Sequence, residues 1–160
     1  MKRLFFLGLI FGGLKAFAQD LKLSNLRCEY KVDPLGIESP SPKLSWEIRS
    51  SGRDVVQAAY RVLVSEDSLD LEKNVGTAWD SRKTFSDASI QVSYGGNALS
   101  AAKIYYWKVM VWGNHGDSSH WSKMAMWQTG LFTRADWKGA RWIGYEEMPD
   151  SNRMLPGSMD

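Results

Sequence analysis

Apolar and polar residues alternate with period two along much of the chain, and the clearest run lies between Ile104 and Trp112. Tyr105, Trp107, Val109 and Val111 occupy one parity; Tyr106, Lys108, Met110 and Trp112 occupy the other. Successive side chains of a strand point to opposite faces, so the first set predicts a continuous core stripe. Leu99 precedes Tyr105 by six residues with a turn-like break between them. That is the pattern of a tyrosine corner in a β-sandwich.

Six further segments carry strand signals. They are Leu21–Tyr30, Lys43–Arg49, Ala58–Val64, the short edge segment Ala78–Ser81, Ser89–Tyr94 and Trp121–Thr129. Between them fall turn and loop signals: Asp33-Pro34-Leu35-Gly36, Pro40-Ser41-Pro42, Gly95-Gly96-Asn97 and the hairpin loop Gly113–Asp117. The polar stretch Glu66–Gly76 has room for one helical turn near Ser68–Lys73. Strands about ten residues apart, each punctuated by glycine, proline or polar clusters, predict an all-β fold. The expectation is a seven-stranded fibronectin type III or immunoglobulin-like sandwich over residues 19–130.

The two ends read differently. Lys2 and Arg3 precede an apolar stretch, Leu4–Leu14, too short to span a bilayer, and Ala16-Phe17-Ala18 follows. This order is that of a signal peptide over residues 1–18, cut between Ala18 and Gln19, and it implies export to the periplasm or the cell exterior. Residues 131–160 read as a linker and the truncated start of a following β-domain. Glu146–Asp160 is polar, holds Pro149 and Pro156, and lacks strand period. It is expected to be disordered in the isolated chain.

Charge and chemistry narrow the function classes. Among 160 residues, 20 basic and 18 acidic side chains leave a formal charge of +2, and the bases are scattered, which leaves no nucleic-acid footprint. The single cysteine, Cys28, has no internal partner and reads as a small buried hydrophobe. His115, Asp117 and His120 match no common metal-ligand spacing, and no cofactor motif is present. Ser118 and Ser119 near these histidines make no triad. The carboxylate pairs Glu66 with Asp67, Asp70 with Glu72, and Glu146 with Glu147 all fall in polar segments, with nothing apolar to raise a pKa. No catalytic residue is assigned. Of the eight tryptophans, Trp46 and Trp107 read as core, together with Tyr60 and Tyr105. Trp112 lies on the face opposite Trp107. Trp121 and Trp127, six apart, are expected to share a face of the last strand. These three are the candidate sugar-stacking residues; the alternative is that they cover a neighbouring domain or pack under a loop. Trp137 and Trp142 are expected to pin the linker against this module or the next.

The motif order resembles a known family. Leu26-Arg27-Cys28-Glu29-Tyr30, Pro34-Leu35-Gly36-Ile37 and Pro40-Ser41-Pro42-Lys43-Leu44-Ser45-Trp46 are similar to the opening of bacterial alpha-L-rhamnosidases of glycoside hydrolase family 78. The similarity continues through Ala59–Val64, Trp79-Asp80-Ser81, Tyr105–Val109, Trp121-Ser122 and Ala135–Gly144. The resemblance implies a fibronectin type III-like module that other β-domains and an (α/α)6 catalytic barrel follow. It implies, for the parent, inverting hydrolysis of terminal alpha-L-rhamnose from glycans. Inverting chemistry needs two carboxyl groups about 6.5–9.5 Å apart. The family's catalytic acids lie in the barrel, so none is carried onto a residue of this sequence. The expected function is a non-catalytic accessory module whose partners are downstream domains of the same polypeptide. Two alternatives stay open: an independent carbohydrate-binding module using exposed tryptophans on rhamnose-containing glycans, and enzymatic action by this chain itself.

Overall fold

The computed structural model describes residues 21–144. The signal segment, its Ala18–Gln19 cut and the tail Glu146–Asp160 lie outside the described residues.

Two antiparallel sheets face each other. One holds β1 (Lys22–Cys28), β2 (Lys43–Arg49) and a short β6 (Val92–Ser93), in the order β1-β2-β6. The other is built on β3 (Gln57–Ser65), β7 (Ile104–Gly113) and β8 (Ala125–Gln128), with β4 (Trp79–Asp80) and β5 (Thr84–Phe85) both pairing β3. A helix, α1 (Ser68–Glu72), connects β3 to β4, and a 3-10 turn, Arg134–Trp137, follows β8. Among the described residues the strands number eight rather than seven. The extra one, β5, is two residues long, and no alternation rule can register so short a segment.

The period-two pattern of β7 is realised: Tyr105, Trp107, Val109 and Val111 are all buried. They meet Tyr60, Val62 and Val64 of β3 and, across the sandwich, Leu44 and Trp46 of β2. Trp46 packs edge-on to Tyr60 with ring centroids 5.4 Å apart. Its indole Nε1 donates to Gln57 Oε1 at 2.9 Å, and the Gln57 amide donates in turn to the carbonyls of Ser86 and Ala88. One buried glutamine thereby ties the two sheets to the crossover between β5 and β6.

Tyr105 is a corner tyrosine in geometry. Its ring is buried and stacks on Trp127 at 5.6 Å, its hydroxyl accepts the Ser100 backbone N–H at 2.9 Å, and it donates to Glu66 Oε1 at 3.2 Å. Leu99 packs against the same core. Cys28 is buried, and that burial pushes its thiol pKa up to about 12, with Glu29 adding to the shift. A thiol so held is inert.

Candidate functional site

Register places the outward side chains of the five-stranded sheet in rows. Phe85, Ala59 and Trp112 pair across β5, β3 and β7 and form one row. Arg61 and Met110 form the next, and Leu63 and Lys108 the one after. Phe85 is 81% exposed, Ala59 is fully buried, and Trp112 is half-buried. Lys83 Nζ stands 5.4 Å from the Phe85 ring centroid and 4.6 Å from that of Trp112. The row is an aromatic shelf with a cation between its two rings.

Beyond it the face turns polar. The Arg61 guanidinium grips Asp80 in bidentate fashion, Nε to Oδ1 at 2.9 Å and NH2 to Oδ2 at 2.8 Å, while Arg82 approaches Oδ2 at 3.1 Å. The Arg61 hydrogen bonds, opposed by partial burial, hold the Asp80 carboxyl below its usual range. Trp121 lies over this region, its ring centroid 5.8 Å from Arg61 Cζ and 5.1 Å from Lys108 Nζ. Lys108 is buried although it faces outward from the sandwich core. Its ammonium donates to the Leu71 carbonyl and to Asn74 Oδ1, so it holds the C-terminal end of α1 down on the sheet. Burial lowers its pKa, and Glu72 partly opposes that shift. Asp67 caps α1 by accepting the Leu69 N–H, and Leu71 is the helix's buried anchor.

The three candidate stacking residues thus separate. Trp112 and Trp121 lie half-buried on the outer face, Trp112 with Lys83 at its ring and Trp121 with Arg61 and Lys108 at its own. Trp127 is fully buried and offers no face to a sugar, which corrects the sequence expectation for it. The shared-face expectation fails because the regular ladder of β8 begins only at Ala125. Upstream of it, Ser119 and Ser122 each bond β7 through a backbone N–H and a hydroxyl. That irregular edge does not keep the period-two parity between Trp121 and Trp127. No alternation marks Phe85 in the sequence; only pairing of β5 with β3 brings it beside Trp112.

The remaining candidates sit as follows. Glu66 receives the Tyr105 hydroxyl and lies 3.5 Å from Lys103. Asp70 lies 3.4 Å from the Ser65 hydroxyl, and Glu72 is exposed. Glu146 and Glu147 lie outside the described residues. His115 and His120 are exposed, and among the described residues no group of three or more His, Cys, Asp or Glu side chains is placed to hold a metal ion. No described helix is long and apolar enough to cross a membrane. Trp137 and Trp142 do not pin the linker to the sandwich core: they are 48% and 94% exposed, with ring centroids 6.3 Å apart. Ile143, beside them in sequence, is 98% exposed.

Residues 23–133 match the family model of the Rha78A-like N-terminal immunoglobulin domain. The chain belongs to this family. It is 40% identical over 113 residues to an alpha-L-rhamnosidase of Formosa agariphila, covering 71% of this chain and 12% of that protein. It is 37% identical over 123 residues to an alpha-L-rhamnosidase of Streptomyces avermitilis, covering 77% of this chain and 12% of the relative. Among solved structures, alpha-L-rhamnosidase from Dictyoglumus thermophilum superposes with TM-score 0.71 at 32% identity, over 73% of this chain and 13% of that one. The Streptomyces avermitilis alpha-L-rhamnosidase complexed with L-rhamnose gives TM-score 0.69 at 36% identity, over 73% and 11%. The Rha78A-like chain therefore spans about one-eighth of the length of the curated relatives it matches.

Proposed function

We propose that this immunoglobulin-like domain is a non-catalytic accessory module of an exported alpha-L-rhamnosidase that removes terminal alpha-L-rhamnose from glycans. The observation that carries the reading is the match of residues 23–133 to the Rha78A-like N-terminal immunoglobulin domain, together with relatives that are alpha-L-rhamnosidases. Its task is to support the downstream domains of the same polypeptide. The exposed Trp137, Trp142 and Ile143, immediately C-terminal to the sandwich, supply apolar surface for that contact. The shelf of Phe85 and Trp112 supplies a second patch for a neighbouring domain. The finer description as a fibronectin type III-like variant is supported by β4 pairing with β3. A constant-type immunoglobulin sandwich places its fourth strand on the other sheet.

The test is deletion of the matching region from a full-length relative such as the Streptomyces avermitilis enzyme. The expected result is a lower melting temperature, with hydrolysis of an aryl alpha-L-rhamnoside retained by the protein that stays folded. Loss of turnover in a deletion variant of unchanged stability would place catalytic groups here and overturn the reading.

A further inference from the structure

The outer face of the three-stranded sheet carries a groove that the accessory reading does not use. β1 bulges between Ser24 and Arg27, where its register against β2 shifts. Asn25 takes a left-handed φ of 51° at that bulge. Asn25 lies in the bulge between Ser24, the register partner of Glu47, and Arg27, the partner of Ser45; it is exposed, and its side chain reaches Glu47 of β2. The three side chains form a chain of hydrogen bonds. Arg27 Nε donates to Asn25 Oδ1 at 2.9 Å, and Asn25 Nδ2 donates to Glu47 Oε1 at 2.5 Å. Arg49 NH2 stands 3.8 Å from Glu47 Oε2. Arg27 also donates to the Tyr30 carbonyl at 3.0 Å, which fixes the turn that carries Tyr30. Tyr30, 54% exposed, and Ile90, 66% exposed, also line this open groove of about 680 Å³.

We propose that this groove binds a pyranose ring that presents a vicinal diol. A sugar hydroxyl both donates and accepts. Here a carboxylate, an amide and a guanidinium stand side by side, with acceptor and donor alternating along a line. A carboxylate accepts from up to four lone-pair sites and a guanidinium offers five N–H groups, so Glu47 and Arg27 both have capacity beyond the bonds they make here. The network holds their rotamers before a ligand arrives, which lowers the ordering entropy of binding. Tyr30 and Ile90 supply the apolar wall for the C–H face of a ring. The volume lies within the range of small-ligand sites. The charge balance of Arg27 and Arg49 against Glu47 repels neither a neutral sugar nor a singly acidic one.

The test is a titration of the isotope-labelled 160-residue chain by amide NMR with methyl alpha-L-rhamnopyranoside, methyl alpha-D-mannopyranoside and sorbitol. Only the choice of the rhamnoside rests on the rhamnosidase reading. Sorbitol offers diols but no ring face. Saturable shifts at Asn25, Arg27, Tyr30, Ser45 and Glu47 with either pyranoside, and none with sorbitol, are expected. Binding of the mannoside alone would support the groove while counting against rhamnose as its ligand. Tyr30→Ala and Glu47→Ala, each with an unchanged amide spectrum elsewhere, should weaken binding roughly fivefold or more. Absence of saturable shifts with both pyranosides, equal response to sorbitol, or shifts centred on Trp112 and Trp121 would overturn the proposal.

Discussion

Removing the Tyr105 hydroxyl separates the corner from the core. Tyr105→Phe keeps the ring stacked on Trp127 at 5.6 Å and buried. It deletes the acceptor of the Ser100 N–H and the donor to Glu66. The first is a neutral bond of net worth about 0.5–1.5 kcal/mol. The second goes to a carboxylate whose side chain is 49% exposed, so screening holds it to about 0.5 kcal/mol. Ser100 is exposed, and water can take its freed N–H, which removes the larger penalty of a buried orphan. The sum is a destabilisation of about 1–2 kcal/mol. For a domain of this size each kcal/mol lowers the melting temperature by about 4 °C or somewhat more. Tyr106→Phe is the control. Tyr106 points to the other face of β7 and is half-buried, so its change should stay within about 0.5 kcal/mol. Urea denaturation followed by tryptophan fluorescence, with m-values compared, measures both. Equal midpoints for wild type, Tyr105→Phe and Tyr106→Phe would refute the corner assignment.

Three further outcomes follow from buried and partly buried contacts. Trp46→Phe should destabilise more than Trp127→Phe, by about 1–3 kcal/mol in denaturation, because it strands the buried Gln57 carbonyl. The Trp127 indole N–H has no partner among the described residues, so its removal strands none. Asp80 has a lowered folded pKa, so its stabilisation is present above the unfolded value of about 3.9 and is lost as pH falls through the lower folded value. Asp80→Asn should therefore flatten the acid limb of the stability–pH profile, and an unchanged limb would count against the Arg61 pairing. Cys28 should react with a thiol reagent near neutral pH only at the rate of unfolding, and burst labelling of the native chain would contradict its burial.

Much of the sandwich is legible in the sequence because strands such as β2 and β7 bury one face more than the other, and burial on one face writes a period of two. Lys43–Arg49 is bounded as read, and the four inward residues of β7 are the four expected. What the pattern hides is pairing. Lys108 has the parity of an outward residue, and only α1 folding over it makes it buried. Gln57 is a polar residue in the core, and the backbone carbonyls that satisfy it come from a distant crossover. Trp127 and Trp121 part company through an edge whose bonds run through serine hydroxyls, which leave no mark in hydropathy. The candidate surfaces are harder still to read. Phe85 and Trp112 become neighbours only through β3, and Asn25 meets Glu47 only through a bulge.

As proposed above, this domain serves an alpha-L-rhamnosidase without itself hydrolysing the rhamnoside. Hydrolysis of 4-nitrophenyl alpha-L-rhamnopyranoside by the purified chain, beside a full-length relative at equal molarity, is the decisive assay of that proposal. Release of nitrophenol by the relative, and none above buffer by this chain, is the expected result. Turnover that co-purifies with the chain and scales with its concentration would contradict it.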